Sequence, residues 1–131
     1  MNSIFLGDYA ELRAAAIFTK KGWVVSKPLT QNSTYDLIID KNGVLKKVQV
    51  KSRQVRSNKI CVELFTCMRN YKKIYKETDF DLLVVYSQDL DQLALFDWDN
   101  LRDVKVLTIR IKEPLNSQKV GVTLFQDYLM E

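Results

Sequence analysis

Asn42-Gly43 stands between two runs of strand-forming residues, 35–40 and 44–53. An Asn-Gly pair supplies positive φ at both central positions of a type I′ turn, the connection that suits the twist of a two-stranded hairpin. A two-residue turn also fixes the register: Lys41 faces Val44, and each further pair of numbers sums to 85. Asp36 is then expected opposite Gln49. Side chains alternate along a strand, so Asp36, Ile38 and Asp40 share a face with Gln49 and Lys51. Tyr35, Leu37, Val48 and Val50 take the other, core-facing side. A one-residue bulge would shift this pairing locally. If the register holds, a carboxylate, an amide and an ammonium converge at one end of an otherwise apolar hairpin.

The rest of the chain reads as elements around that hairpin. Residues 3–21 predict a helix with Ser3 as its cap and Gly22 as its stop, and Leu6, Ala10, Ala14, Ile17 and Phe18 form its apolar stripe. Strands are expected at 23–27, 59–66, 80–86, 92–97 and 105–111. A helical stretch is expected near 68–77, carrying Arg69, Lys72, Lys73 and Lys76, with Tyr71 and Tyr75 packing on it. Residues 122–129 fit either a short helix or a strand. This order predicts an α/β fold, a mixed central sheet flanked by helices. At 131 residues the chain is expected to be a single domain, 1–131.

The chain has no histidine. That excludes imidazole-based triads, Cys-His proteases and histidine-ligated zinc, and leaves carboxylates, lysine, tyrosine, cysteine or a carboxylate-bound metal to carry any chemistry. Two cysteines, Cys61 and Cys67, are too few for a disulfide framework and read as buried thiols in a reducing compartment. The N-terminus shows no signal-like run and no stretch approaches a membrane span, so an intracellular, non-membrane protein is expected.

The formal net charge of +4 conceals an asymmetry. Residues 41–76 hold eleven basic side chains against Glu63 alone, while the remaining residues sum to −6. A basic middle on an acidic remainder fits a nucleic-acid face. The acidic stretch 79–103 is expected away from the phosphates, with Asp97 and Asp99 as turn carboxylates.

Asp36, Gln49 and the Val50 carbonyl offer oxygen ligands of the kind that Mg²⁺ prefers. A lysine beside such an ion can orient the attacking water or offset charge on a phosphoryl transition state. The plain alternative is a hairpin with polar residues on its wet face.

Gly7-Asp8-Tyr9-Ala10-Glu11 on the first helix, Tyr35-Asp36, and Val48-Gln49-Val50-Lys51-Ser52 together resemble the PD-(D/E)xK nuclease superfamily. That pattern is an acid on the first helix, then Asp, then (D/E)-x-K. Gln49 departs from it and is most similar to the group I intron-encoded homing endonuclease branch. The resemblance covers residues 4–86 and implies a restriction-endonuclease-like fold, with a catalytic core at about 1–86. Residues 87–131 would complete the sheet and carry oligomerisation. Glu11, Asp36, Gln49 and Lys51 would be the catalytic set. Mg²⁺, with Mn²⁺ as substitute, would be held by Glu11, Asp36, Gln49 and Val50. The activity implied is site-specific hydrolysis of double-stranded DNA. A Holliday junction resolvase or restriction-type nuclease is the alternative, and an inactive nuclease-fold DNA-binding module is another.

The expected DNA contacts are Gln31, Asn32, Ser33 and Thr34 before Asp36, Arg53, Gln54, Arg56, Asn58 and Lys59 after Lys51, and Lys72, Lys73 and Lys76. Arg, Asn and Gln suit base edges, and Lys suits phosphates. Cutting both strands needs two active sites, so a homo-oligomer is expected, a dimer at minimum and a tetramer within the homing branch's range. Apolar elements after residue 92 are its expected interface.

Overall fold

The computed structural model describes residues 2–67, 72–101, 103–112 and 121–131. Helix α1 spans Ser3–Lys20. Its cap is Asn2, not Ser3: the Asn2 side chain accepts a hydrogen bond from the Phe5 amide at 3.0 Å, and Ser3 already lies inside the helix. At the other end Gly22 adopts φ +92°. The Gly22 and Trp23 amides donate to the Thr19 and Phe18 carbonyls, the Schellman arrangement that a left-handed glycine permits.

Among the described residues nine strands follow: β1 Val24–Ser26, β2 Leu37–Lys41, β3 Val44–Arg53, β4 Lys59–Glu63, β5 Phe65–Cys67, β6 Lys72–Ile74, β7 Leu82–Ser87, β8 Gln92–Asp97 and β9 Val106–Arg110. Five of them form a mixed sheet in the order β1-β2-β3-β7-β8, in which only the β3–β7 pairing is parallel. Two ribbons, β4–β9 and β5–β6, stand apart from it.

The sheet is covered on both faces. On one side Ala10, Ala14, Ile17 and Phe18 of α1 pack on Leu37, Ile39, Val48, Val84 and Tyr86. On the other, Leu83, Val85, Ala94 and Phe96 meet Ile60, Val62, Leu107 and Ile109 of the β4–β9 ribbon, with Phe80, Trp98 and Phe125. β7 contributes to both layers, which is why its run 82–87 is buried almost throughout.

The hairpin register holds through Leu37↔Val48, and Asn42 and Gly43 adopt φ 53° and 83° as a type I′ turn requires. Of the helix expected near 68–77, residues 68–71 lie outside the described residues, and Lys72–Ile74 is instead strand β6, paired to β5 in an antiparallel ribbon. The strand expected at 59–66 is two strands in two ribbons, separated at Leu64. The tail resolves its ambiguity both ways, as a 3-10 turn at Phe125–Tyr128 between bridges Arg110↔Leu124 and Ala94↔Leu129.

Cys61 is exposed, not buried, because odd-numbered residues of β4 face outward. The Cys67 side chain lies outside the described residues. The apolar side chains after residue 92 are largely core: Leu93, Phe96, Trp98, Leu107, Ile109, Phe125 and Met130 are all buried. Their apolarity therefore needs no partner to explain it. Among the described residues no helix is long and apolar enough to cross a membrane.

Candidate active site

Asp36 sits where the β2–β3 ladder ends. Its amide donates to the Val48 carbonyl at 2.8 Å, and its carboxylate accepts the Val50 amide at 2.8 Å. The side chain thus takes the place of the next backbone partner. Tyr35 packs in the layer opposite to Leu37 and Val48, so strand alternation breaks at Asp36. The direct Asp36–Gln49 pairing expected from the turn is corrected in this detail: the last regular pair is Leu37↔Val48.

That break sets Asp36 between the two layers. Glu11, from α1 on one side, and Lys51, from β3, both act on its charge, as does Lys27. Burial raises the Asp36 pKa above the usual carboxylate value. The Val50 amide opposes that shift, Glu11 adds to it, and Lys51 and Lys27 oppose it. A half-buried carboxylate beside a second carboxylate is a place where a cation is favoured.

The Glu11 and Asp36 carboxylates are oxygen donors of the kind a hard cation takes, and the Val50 carbonyl shares the strand edge of the amide that bonds Asp36. Among the described residues no three His, Cys, Asp or Glu side chains are grouped for a metal.

Glu11 forms an ion pair with Lys27 at 2.7 Å. That hydrogen bond, with the nearby charges of Asp8 and Asp36, raises the Lys27 pKa. Lys51 Nζ donates to the Tyr75 hydroxyl at 2.9 Å. The sequence did not single out Lys27 or Tyr75 for these roles. The β1–β2 register, Ser26↔Ile38, brings Lys27 level with Leu37, next to Asp36. Placement of β1 at that edge had no local signal.

Three comparisons bear on this geometry. A model of the PD-(D/E)XK endonuclease family matches residues 1–131. The chain belongs to the PD-(D/E)xK endonuclease family. It is 35% identical to "Protein 5.3" of Escherichia phage T7 over 100 residues, 73% of this chain and 80% of that one. Its fold is similar to that of a bacterial homing endonuclease, with a TM-score of 0.80 and 26% identity over 98% of this chain and 89% of that one.

The segment after Lys51 carries the second group of expected DNA contacts. Arg56 and Lys59 bridge across a two-residue turn, Ser57-Asn58, whose φ values of 53° and 61° are again those of a type I′ hairpin. Gln54, Arg56, Asn58 and Lys59 are exposed there. With Arg53 and Leu6, the residues Gln54, Arg56 and Lys59 border a cleft of about 470 Å³. Arg53 is paired with Glu63 at 3.2 Å.

The loop before Asp36 divides. Gln31 and Asn32 are exposed, whereas the Ser33 and Thr34 hydroxyls donate to the Tyr35 and Asp79 carbonyls, both at 2.8 Å. Lys73 and Lys76 are exposed, on or beside the ribbon rather than on a helix. The Lys72 side chain, Arg69 and Tyr71 lie outside the described residues.

The acidic stretch is not set apart from the basic segment, because its carboxylates cap backbone amides. Asp81 accepts from Lys47, Asp89 from Val55, Asp79 from Lys76 and Asp97 from Asp99.

Proposed function

We propose that this chain is a divalent-metal-dependent endonuclease that cuts double-stranded DNA at a specific site, in the manner of homing endonucleases. The observation that supports it most is the convergence on Asp36 of Glu11, Lys51 and the Val50 amide, with a carboxyl pKa held up by burial. Glu11, Asp36, Gln49 and the Val50 carbonyl would hold Mg²⁺ or Mn²⁺. A cation bound there supplies Lewis-acid activation of the attacking water and of the scissile phosphate. Lys51 presents its ammonium beside Asp36, where it orients the water and offsets charge on the phosphoryl oxygens.

Gln54, Arg56, Asn58 and Lys59 at the hairpin tip, with Arg53, would contact DNA on one side. Gln31 and Asn32, with Ser33 and Thr34 behind them, would do so on another, and Lys72, Lys73 and Lys76 would follow the backbone. The chain acts as one unit, with residues 1–86 bearing the site and 87–131 completing the sheet. Cleavage of both strands would use a dimer or larger homo-oligomer.

Gln49 favours a second reading, an inactive relative that only binds DNA, because an amide removes one charge from the ligand set. Supercoiled plasmid bearing the native flanking sequence, incubated with Mg²⁺, distinguishes the two. An endonuclease linearises it, and Lys51→Ala abolishes cutting while retaining DNA binding. Metal binding without cutting of any duplex would overturn the enzymatic reading. A monomeric mass in sedimentation, with DNA bound, would overturn the assembly.

A further inference from the structure

Lys51 reaches the site on a flexible four-carbon stem, and what fixes its end lies outside the four-point motif. Its Nζ donates to the Tyr75 hydroxyl at 2.9 Å and stands 5.2 Å from the centre of the Tyr75 ring. Tyr75 is itself held. Its ring meets Phe80 edge-on at 5.2 Å and Trp98 at 6.3 Å. Phe80 and Trp98 are 1% and 2% exposed, and the Trp98 indole donates to the carbonyl of Lys76, the residue after Tyr75. A continuous set of packed rings thus runs from the core to the lysine ammonium.

We propose that Tyr75 is a positioning residue for Lys51. This rests on the reading of Lys51 as the lysine of the active site. The chemistry of the partner supports the role. A carboxylate would pair with the ammonium and cancel its field. A phenol brings no carboxylate charge to the pair: its oxygen accepts one N–H and leaves two N–H groups for water and phosphate. No carboxylate among the described residues lies within ion-pair distance of Lys51. If Tyr75 were only a filler of the core, its hydroxyl would be dispensable.

Tyr75→Phe keeps the ring contacts and removes the oxygen. The expected result is a single-turnover cleavage rate about tenfold lower, since misplacing a reacting group costs rate rather than affinity. The Kd for the same duplex should stay within about twofold, because the phosphate contacts that set affinity are untouched. A second readout does not depend on cleavage. In ¹⁵N-lysine-labelled protein, the Lys51 ammonium, assigned by its loss in Lys51→Gln, should give a protected signal that weakens or shifts in Tyr75→Phe.

Wild-type cleavage by Tyr75→Phe beside an inactive Lys51→Ala would overturn the role of Tyr75 alone. Full activity of Lys51→Ala would overturn the reading on which it rests. A slower Tyr75→Phe with an unchanged ammonium signal would also overturn the role of Tyr75, and so would the absence of any protected Lys51 signal in the wild-type protein.

Discussion

Asp36 is where the fold and the site pull against each other. Burial and Glu11 disfavour its charge, and the Val50 amide, Lys51 and Lys27 only partly compensate, so its folded pKa is raised. For a carboxyl group that sign means the fold prefers the protonated form. The associated stability is present below the unfolded pKa and is lost as pH rises through the folded value. Asp36→Asn removes that cost. It should raise the metal-free melting temperature at pH 7 while dropping cleavage by about a thousandfold or more, the loss expected when a central ligand goes. Mg²⁺ should stabilise the wild type and not the variant, which thermal melts with and without the ion would show. Gln49→Glu should do the reverse. A third carboxylate should tighten Ca²⁺ binding about tenfold in calorimetry and lower metal-free stability through like-charge repulsion. The β2–β3 register was legible in the sequence as far as Leu37↔Val48, because a two-residue turn fixes it, and the break at Asp36 was not. The Glu11–Lys27 and Lys51–Tyr75 contacts were not, because each joins different elements, 16 and 24 residues apart.

Helix α1 carries Glu11, and two residues further on a polar contact ties the helix to the turn between β7 and β8. Arg13 bonds the Asp91 carboxylate at 2.6 Å, and the Tyr86 hydroxyl donates to the same oxygen at 2.8 Å. Desolvation first, then the Asp91 bond, pushes the Tyr86 phenol up to about 12. Its unfolded value lies near 10, so the protonated phenol favours the fold below about pH 10, and that stability is lost as pH rises through about 12. Asp91→Ala should bring the Tyr86 titration part of the way back, since desolvation remains. Phenolate absorbance, with Tyr86→Phe as the blank, reads this directly. The same variant should speed amide exchange in α1. The β5–β6 ribbon shows where local pattern misled: Lys72, Lys73 and Lys76 have helical spacing, but pairing of Lys72–Ile74 with Phe65–Cys67 overrides propensity. Helix α1 and strands β3, β8 and β9 were legible because their apolar spacing is long or their ends are marked by turns.

At the scale of the whole molecule, the +10 segment is not one surface. Strand β3 runs ten residues from Val44 to Arg53, and at about 3.3 Å per residue its ends stand roughly 30 Å apart. Lys41 lies at one end, its Nζ bonded to the Lys21 carbonyl at 2.9 Å. Lys47 is bonded to the Thr78 carbonyl. Arg56 and Lys59 stand exposed at the other end, beyond Lys51. Composition shows the charge excess, but only the strand direction shows which basic residues can share a phosphate backbone with the site. The two groups are separated by several screening lengths at physiological salt, about 8 Å each. They should therefore contribute to DNA binding independently and unequally. Replacing Arg56 and Lys59 together by Ala should flatten the dependence of log K on log salt by about 0.9 for each phosphate that the pair neutralises in the wild type. Lys41→Ala should leave that slope unchanged. Fluorescence anisotropy with one labelled duplex across a salt series measures both, and equal flattening by the two variants would mean that DNA wraps the whole length of β3 rather than docking at its Arg53 end.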